Sequence, residues 1–337
     1  MVNLNWDNLD WSILDRLREG FITGSAARGP YWETEDDLAH YDLTYAERIG
    51  WKWDHVLREL TRRGWSPAPG PILDWGCGSG IADRRVFAHW PQLVTPDTHL
   101  HVFDHSTLAE TYAAQRAQAC YPTLTAQSWN RSASISTVVI SHVLHELDAD
   151  SAADLRDIID RASTVIWIEP GTSAVAARLV DWREQLRDQF RITYPCPHQG
   201  ACGLLVPANE RHWCHHFATP PPGIFADSHW VKFGQRAGID LRSLPFSALV
   251  LERHEQLDTA PLPPDAGRII GRPQVFKPYA RLLGCDATGV TTLTLPKRAA
   301  PQLIKRFERP ESPRLFQWTH QDGQLAPPTP IPCTDSA

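Results

Sequence analysis

The stretch Ile72–Gly80, ILDWGCGSG, decides the reading of this chain. A short apolar run ends in Asp74, and the chain then passes through Gly76, Gly78 and Gly80 before a helical pattern begins near Ile81. Glycines at such a turn let the backbone come close to a ligand, and the N-terminus of the following helix offers it unpaired N–H groups. A dinucleotide-binding turn spaces its glycines as G-x-G-x-x-G, whereas this one runs G-x-G-x-G. The stretch predicts a buried strand, a ligand-facing loop and a helix, in that order.

An acid just ahead of G-x-G-x-G resembles the first motif of class I S-adenosylmethionine (SAM) methyltransferases, and the resemblance implies a loop packed against the methionine part of the cofactor. Working outward, HLHVFD predicts a second strand ending in Asp104, where a carboxylate can accept hydrogen bonds from both ribose hydroxyls. TAQSW predicts a third, with Gln127, Ser128 or Trp129 set against the adenine, and STVVISHVLHEL a fourth ending near Ser141 and His142. TVIWIEPG predicts a fifth, ending at Glu169. Ligands in open α/β sheets bind outside the carboxyl ends of the strands, where all of these residues fall. The candidate cofactor-binding set is Asp74, Gly76, Gly78, Gly80, Asp104, Gln127, Ser128, Trp129 and Ser141. The plainer alternative is an α/β domain with a structural glycine turn. His142 and His145 are the catalytic candidates, because a spacing of three lets one helical turn present both to a cleft, although a core histidine fits His145 equally well. Glu146 reads as a solvated helix residue, and Cys77 and Cys120 as small packing residues. None of these identifies a catalytic base.

Beyond the fifth strand, YPCPHQGACGLLVPANERHWCH crowds Cys196, Cys202 and Cys214 into a stretch rich in Pro and His. The spacing is not the paired C-x-x-C of most structural zinc sites, although His198, His212, His215 or His216 can complete one. Cys285 stands about 70 residues further on, beside a turn between two predicted strands. Four thiolates suit an iron–sulfur cluster or an all-cysteine zinc site; the alternative is a set of unrelated buried thiols. The C-x-x-x-C-x-x-C pattern of radical SAM chemistry is absent.

Composition sets the outer bounds. A hydrophobic content of 42% and a charged content of 21% describe an ordinary globular chain, and no run approaches the roughly 20 apolar residues that cross a bilayer. The opening residues lack the pattern of a signal peptide, and seven cysteines at irregular spacing do not make a secreted disulfide framework, so the expectation is a cytoplasmic protein without a membrane partner. The net charge of −6 hides an asymmetry: Gly267–Trp318 carries ten Lys and Arg against three acids. That segment can form a basic face, or simply a solvated surface. The expected organisation is a helical N-terminal region over 1–64, a Rossmann-like α/β core over 65–190, a Cys/His-rich insertion over 191–240, C-terminal strands of the core with the basic segment over 241–318, and a disordered tail over 319–337 that holds Cys333.

The combination of LDWGCGSG, SHVLHEL, WIEPGT, CPHQGAC, WCHH and Cys285, in that order, resembles the methyltransferase-like ribosome assembly proteins of the mitochondrial small subunit and their bacterial relatives. The similarity covers about residues 60 to 300. It implies a class I methyltransferase fold, SAM binding, a [4Fe-4S] cluster held by Cys196, Cys202, Cys214 and Cys285, and association with the small ribosomal subunit through rRNA contacts. The acidic total charge departs from that pattern. Two functions follow. One is a SAM-binding, cluster-bearing methyltransferase or assembly factor of the small subunit; the other is a methyltransferase of a small molecule or peptide on the same scaffold.

Overall fold

A computed structural model describes residues 4–23, 31–256, 261–309 and 311–331. The chain divides into two compact units. The first takes residues 1–58, 66–168 and 220–244, and the second residues 59–65, 169–219 and 245–337.

In the first unit, helices α1 (Trp11–Thr23), α2 (Glu35–Tyr41) and α3 (Glu47–Arg62) precede the sheet, and a π-helical turn, Asp42–Ala46, joins the last two. Thr34 starts α2 by capping the Asp37 amide while the Asp37 carboxylate reaches back to the Thr34 amide. Five strands follow: β1 (Ile72–Trp75), β2 (His99–Phe103), β3 (Thr125–Ser128), β4 (Thr137–Ser141) and β5 (Thr164–Pro170). All pair in parallel, in the order β3-β2-β1-β4-β5. The crossovers are α4 (Ile81–His89), α5 (Thr107–Cys120) and α6 (Ala149–Ile159). Strands β1 and β4 are buried along nearly their whole length, as the centre of a sheet covered on both faces must be. The strand order turns back at β1 and β4, so the loops after these two strands flank the switch point where such sheets bind ligands. This is a Rossmann-like parallel sheet.

The N-terminal helices are part of this unit rather than a separate region. Arg84 on α4 pairs with Asp42, and Arg116 on α5 reaches the same carboxylate at 3.3 Å. Ser228–Ala237, expected inside the cysteine-rich insertion, is a helix of this unit whose Trp230 packs on Trp51 at 4.6 Å.

The second unit contains α7 (Ser173–Leu186) and the strands β6 (Phe190–Tyr194), β7 (His216–Phe217) and β8 (Pro245–Arg253), with β6 and β7 both antiparallel to β8. It also contains a second sheet, to which the later of the expected C-terminal strands belong, while β8 is a strand of the first sheet. Strands β9 (Ala266–Val275), β10 (Tyr279–Asp286) and β11 (Gly289–Pro296) form an antiparallel meander, extended on both sides by short strands. Alternation gives these strands two working faces. Ile269, Leu282, Leu293 and Leu295 meet Ile304, Phe307, Phe316 and Trp318 on one, while Ile270, Cys285 and Val290 meet on the other.

The tail expected to be disordered is ordered over 319–331. His320–Gln321, Gln324–Leu325 and Thr329–Pro330 are strands of this sheet, and Leu325 is buried in its core. Cys333 lies outside the described residues.

Candidate functional site

The glycine loop is fastened to the end of β2. The amides of Gly76 and Cys77 both donate to the Phe103 carbonyl, at 2.8 and 3.0 Å. The Gly78 amide donates to Asp104 Oδ2 at 3.0 Å, and the Ser106 amide to Oδ1 at 3.0 Å. Gly76 has φ 73°, and a Cβ there would stand 2.4 Å from Val143 Cγ1, so only glycine fits. Gly78 also has a left-handed φ, of 50°, yet nothing lies within 4 Å of the position of its missing Cβ. The loop therefore closes on the protein at Gly76 and opens at Gly78. Burial pushes the Asp104 pKa up while these two amides pull it back.

Beneath the loop, Asp74 is fully buried and is not displayed to a ligand. It faces Asp83, in the first turn of α4 and equally buried, whose amide and carboxyl are the groups that meet the Asp74 carboxyl. Burial pushes Asp74 up to about 7 and raises Asp83 well above the ordinary carboxylate range, their mutual proximity adding to the latter. Two buried carboxyls side by side resist ionising together, so the pair retains a proton that isolated carboxylates would lose. Arg84 anchors the same loop by donating to the Ser79 carbonyl at 2.8 Å.

The remaining candidates divide. Gln127 and Ser128 are exposed at the end of β3. Trp129 is buried, edge-on to Phe103 at 6.2 Å, with the Arg131 and Arg161 guanidinium groups 5.6 and 5.4 Å from its ring. Ser141 Oγ accepts from Trp53 Nε1 at 3.0 Å and keeps its own proton for another partner. His142 and His145 do not share a helical turn, which corrects that expectation. His142 has φ 59°, a left-handed conformation that ends the strand and cannot begin a helix, and α6 starts only at Ala149. His142 Nε2 lies 3.3 Å from Lys52 Nζ, and burial followed by that ammonium holds its pKa well below the ordinary value. His145 is exposed, with Nε2 3.1 Å from Glu146 Oε1. Sequence reasoning missed Lys52, Trp53 and Arg84, since their roles depend on which strand end the helices meet.

All four candidate metal-ligating cysteines, Cys196, Cys202, Cys214 and Cys285, line one cavity within the second unit. Cys196 follows β6, Cys202 precedes a short 3₁₀ turn (Gly203–Leu205), Cys214 precedes β7, and Cys285 lies on β10. Local packing explains the convergence. A Cβ on Gly203 would stand 2.5 Å from the Val290 amide nitrogen, and Asn209 Nδ2 donates to the carbonyls of Gly203 and Val290 at 2.8 and 3.0 Å. These contacts seat the Cys202 turn on the β10–β11 hairpin. The Gly271 amide donates to the His215 carbonyl at 2.8 Å and seats Cys214 in the same way.

Of the four histidines considered as zinc ligands, His198 and His216 line the cavity, with Nε2 atoms 3.6 Å from Cys285 Sγ and 3.8 Å from Cys214 Sγ. His212 and His215 do not line it; His215 stacks on Trp213 at 4.7 Å. Among the described residues no group of three or more His, Cys, Asp or Glu side chains is gathered as the ligand set of a metal ion. Two buried arginines also line the cavity. Arg183 Nε donates to Cys196 Sγ at 3.4 Å, and its Nη2 to the Gly200 carbonyl at 2.7 Å. Arg268 pairs with Glu59, and its guanidinium carbon lies 4.7 Å from the Tyr194 ring. Arg268 is therefore no part of a basic outer face.

A family model described as "Mitochondrial small ribosomal subunit Rsm22" matches residues 51–289 of this chain. The chain belongs to the Rsm22 family. That match takes in the glycine loop and all four cavity cysteines. Likeness to solved structures is looser. The plantazolicin methyltransferase BpumL in complex with S-adenosyl-homocysteine (SAH) is 11% identical, with 72% of this chain and 100% of that chain covered at a TM-score of 0.38. TrmK of M. capricolum with the same cofactor product is 10% identical, with 58% and 68% covered at 0.31. The mitomycin 7-O-methyltransferase MmcR is 11% identical, with 74% and 69% covered at 0.39. At such TM-scores the likeness says nothing further. No individually curated protein matches the chain. No helix among the described residues is long and apolar enough to cross a membrane.

Proposed function

We propose that this Rsm22-family chain binds SAM on its glycine loop, holds one [4Fe-4S] cluster on Cys196, Cys202, Cys214 and Cys285, and acts on or assembles the small ribosomal subunit through rRNA contacts. The observation that carries the reading is the convergence on one cavity of three cysteines from one stretch and Cys285 from a distant strand, inside a single family match that also spans the glycine loop.

The residues present fit both groups. Gly78 faces open space, and each Asp104 oxygen, engaged by one amide, keeps a lone pair for a ribose hydroxyl. Bound SAM supplies an electrophilic methyl group on a sulfonium. His142 has no free basic nitrogen to offer: Nε2 accepts from the Lys52 ammonium, so the ring presents only its Nδ1–H, as a donor that orients a ligand. A cluster asks its four sulfurs to surround a volume, which thiols lining a cavity can do, and the Arg183 N–H directed at Cys196 offsets thiolate charge. Ligation by four cysteines leaves no open iron, so the role is to hold the fold or to sense redox state.

Titration calorimetry tests the cofactor half. Gly78→Val and Asp104→Ala should each weaken SAM binding about tenfold or more, which is about 1.4 kcal/mol, and unchanged affinity in both removes the assignment. Sedimentation with small ribosomal subunits at low and moderate salt tests the partner: salt-sensitive co-sedimentation is expected, and none at low salt contradicts it.

A further inference from the structure

Between Ala266 and Phe307 the chain carries a single acid, Asp286. That carboxylate is turned inward, accepting from Trp318 Nε1 at 2.8 Å and Thr288 Oγ at 2.6 Å, with His320 Nε2 at 3.1 Å. Every Lys and Arg of the same segment except Arg268 is exposed. The positive charge at this end of the second sheet is thus unopposed within its own strands.

Its centre is the turn that joins β9 to β10. Phe276 donates its amide to the Tyr279 carbonyl at 2.8 Å, and Lys297, just after β11, donates its amide to the Pro278 carbonyl at 2.9 Å. The second bond sets Lys297 beside the turn that carries Lys277, and Arg281 lies across from Thr294 on β11. Among these cations Phe276 is 39% exposed, although the sheet's own core lies close by. Tyr279 packs against it at 4.9 Å, and the Arg281 guanidinium lies 5.4 Å from its ring centre. An apolar ring left 39% exposed beside Arg281 buries little for the fold. It does suit a ligand that has both a flat π-face and phosphate charge.

We infer that the β9–β10 turn is a binding surface for unpaired RNA, on which Phe276 stacks one base while Lys277, Arg281, Lys297 and Arg298 meet the flanking phosphates. The inference rests on the ribosomal reading above and says which strand of RNA chemistry this face takes. Duplex RNA keeps its bases stacked inside and cannot offer one to Phe276, so an unpaired segment is the occupant.

The test uses the full chain, a labelled single-stranded oligouridine, a duplex RNA of the same length, and fluorescence anisotropy at several salt concentrations. The single strand should bind more tightly than the duplex. Phe276→Ala should weaken it about 5-fold or more with the salt slope unchanged. Lys277→Glu with Arg281→Glu should weaken it and flatten the slope by about 1.4. Equal affinity for both RNAs, or a Phe276→Ala variant that binds as the parent does, overturns the inference. Co-sedimentation separates the two levels. If the parent and Phe276→Ala both sediment with small subunits equally, this surface is wrong and the ribosomal reading stands; if the parent sediments with none, that reading fails and takes this surface with it.

Discussion

One proton shared by Asp74 and Asp83 has a pH signature. Their folded-state pKa values lie above the unfolded carboxylate value, so the stability this pair contributes is complete below about pH 4 and is lost as pH rises through about 7. Asp83→Asn supplies a permanent N–H donor to Asp74 in place of the proton. The variant should melt at nearly the parent's temperature at pH 5 and about 3 °C or more above it at pH 8, as thermal scans at the two values would show. An unchanged gap between the two pH values would mean that the carboxyls are not coupled. The glycine loop was legible in the sequence because a left-handed turn is written in residue type: Gly76 and Gly78 can be little else. Asp83 and Arg183 were not legible, since an acid or a base on a helix discloses its partner only once the helix is docked. Arg268 was misread for the same reason: a count of charge cannot see that Glu59 has already taken it.

At the scale of elements, the insertion is held by backbone contacts. Gly203→Ala drives a methyl to 2.5 Å from the Val290 amide nitrogen, where only backbone stands to give way, and Asn209→Ala removes two hydrogen bonds from buried carbonyls. Losing such bonds costs about 1–3 kcal/mol. Both variants should open residues 196–216 to limited proteolysis and lose iron, while SAM affinity in the first unit stays at the parent value. Resistance equal to the parent's would show that the turn is not what seats Cys202. The parallel strands were legible because a buried strand between helices is a continuous apolar run, as in TVVIS of β4. The turn after β4 was not, because the left-handed φ of His142 ends a pattern that sequence spacing alone would carry on as helix. The last three strands escaped as well. Each has only two residues, too few to show an alternation, and they are ordered by their partners and by Leu325 in the core.

On the scale of the whole molecule, the Rsm22-family chain divides into two compact units, with the glycine loop in one and the four cysteines in the other. The order of motifs along the sequence was enough to expect both, but not to draw the boundary. Residues 220–244 return to the first unit, and residues 59–65 belong to the second, so neither unit is a continuous piece of chain. The acidic total charge, which set the ribosomal expectation against itself, is compatible with a basic end confined to one sheet. The central claim is that Cys196, Cys202, Cys214 and Cys285 hold one cluster, and quantifying iron and acid-labile sulfide in anaerobically purified protein, alongside a Cys285→Ser variant, tests it most directly. The prediction is a brown protein with about four iron and four sulfide per chain, most of it lost in Cys285→Ser but kept in Cys77→Ser and Cys120→Ser. One zinc without sulfide in the parent, or full iron retained in Cys285→Ser, would contradict it.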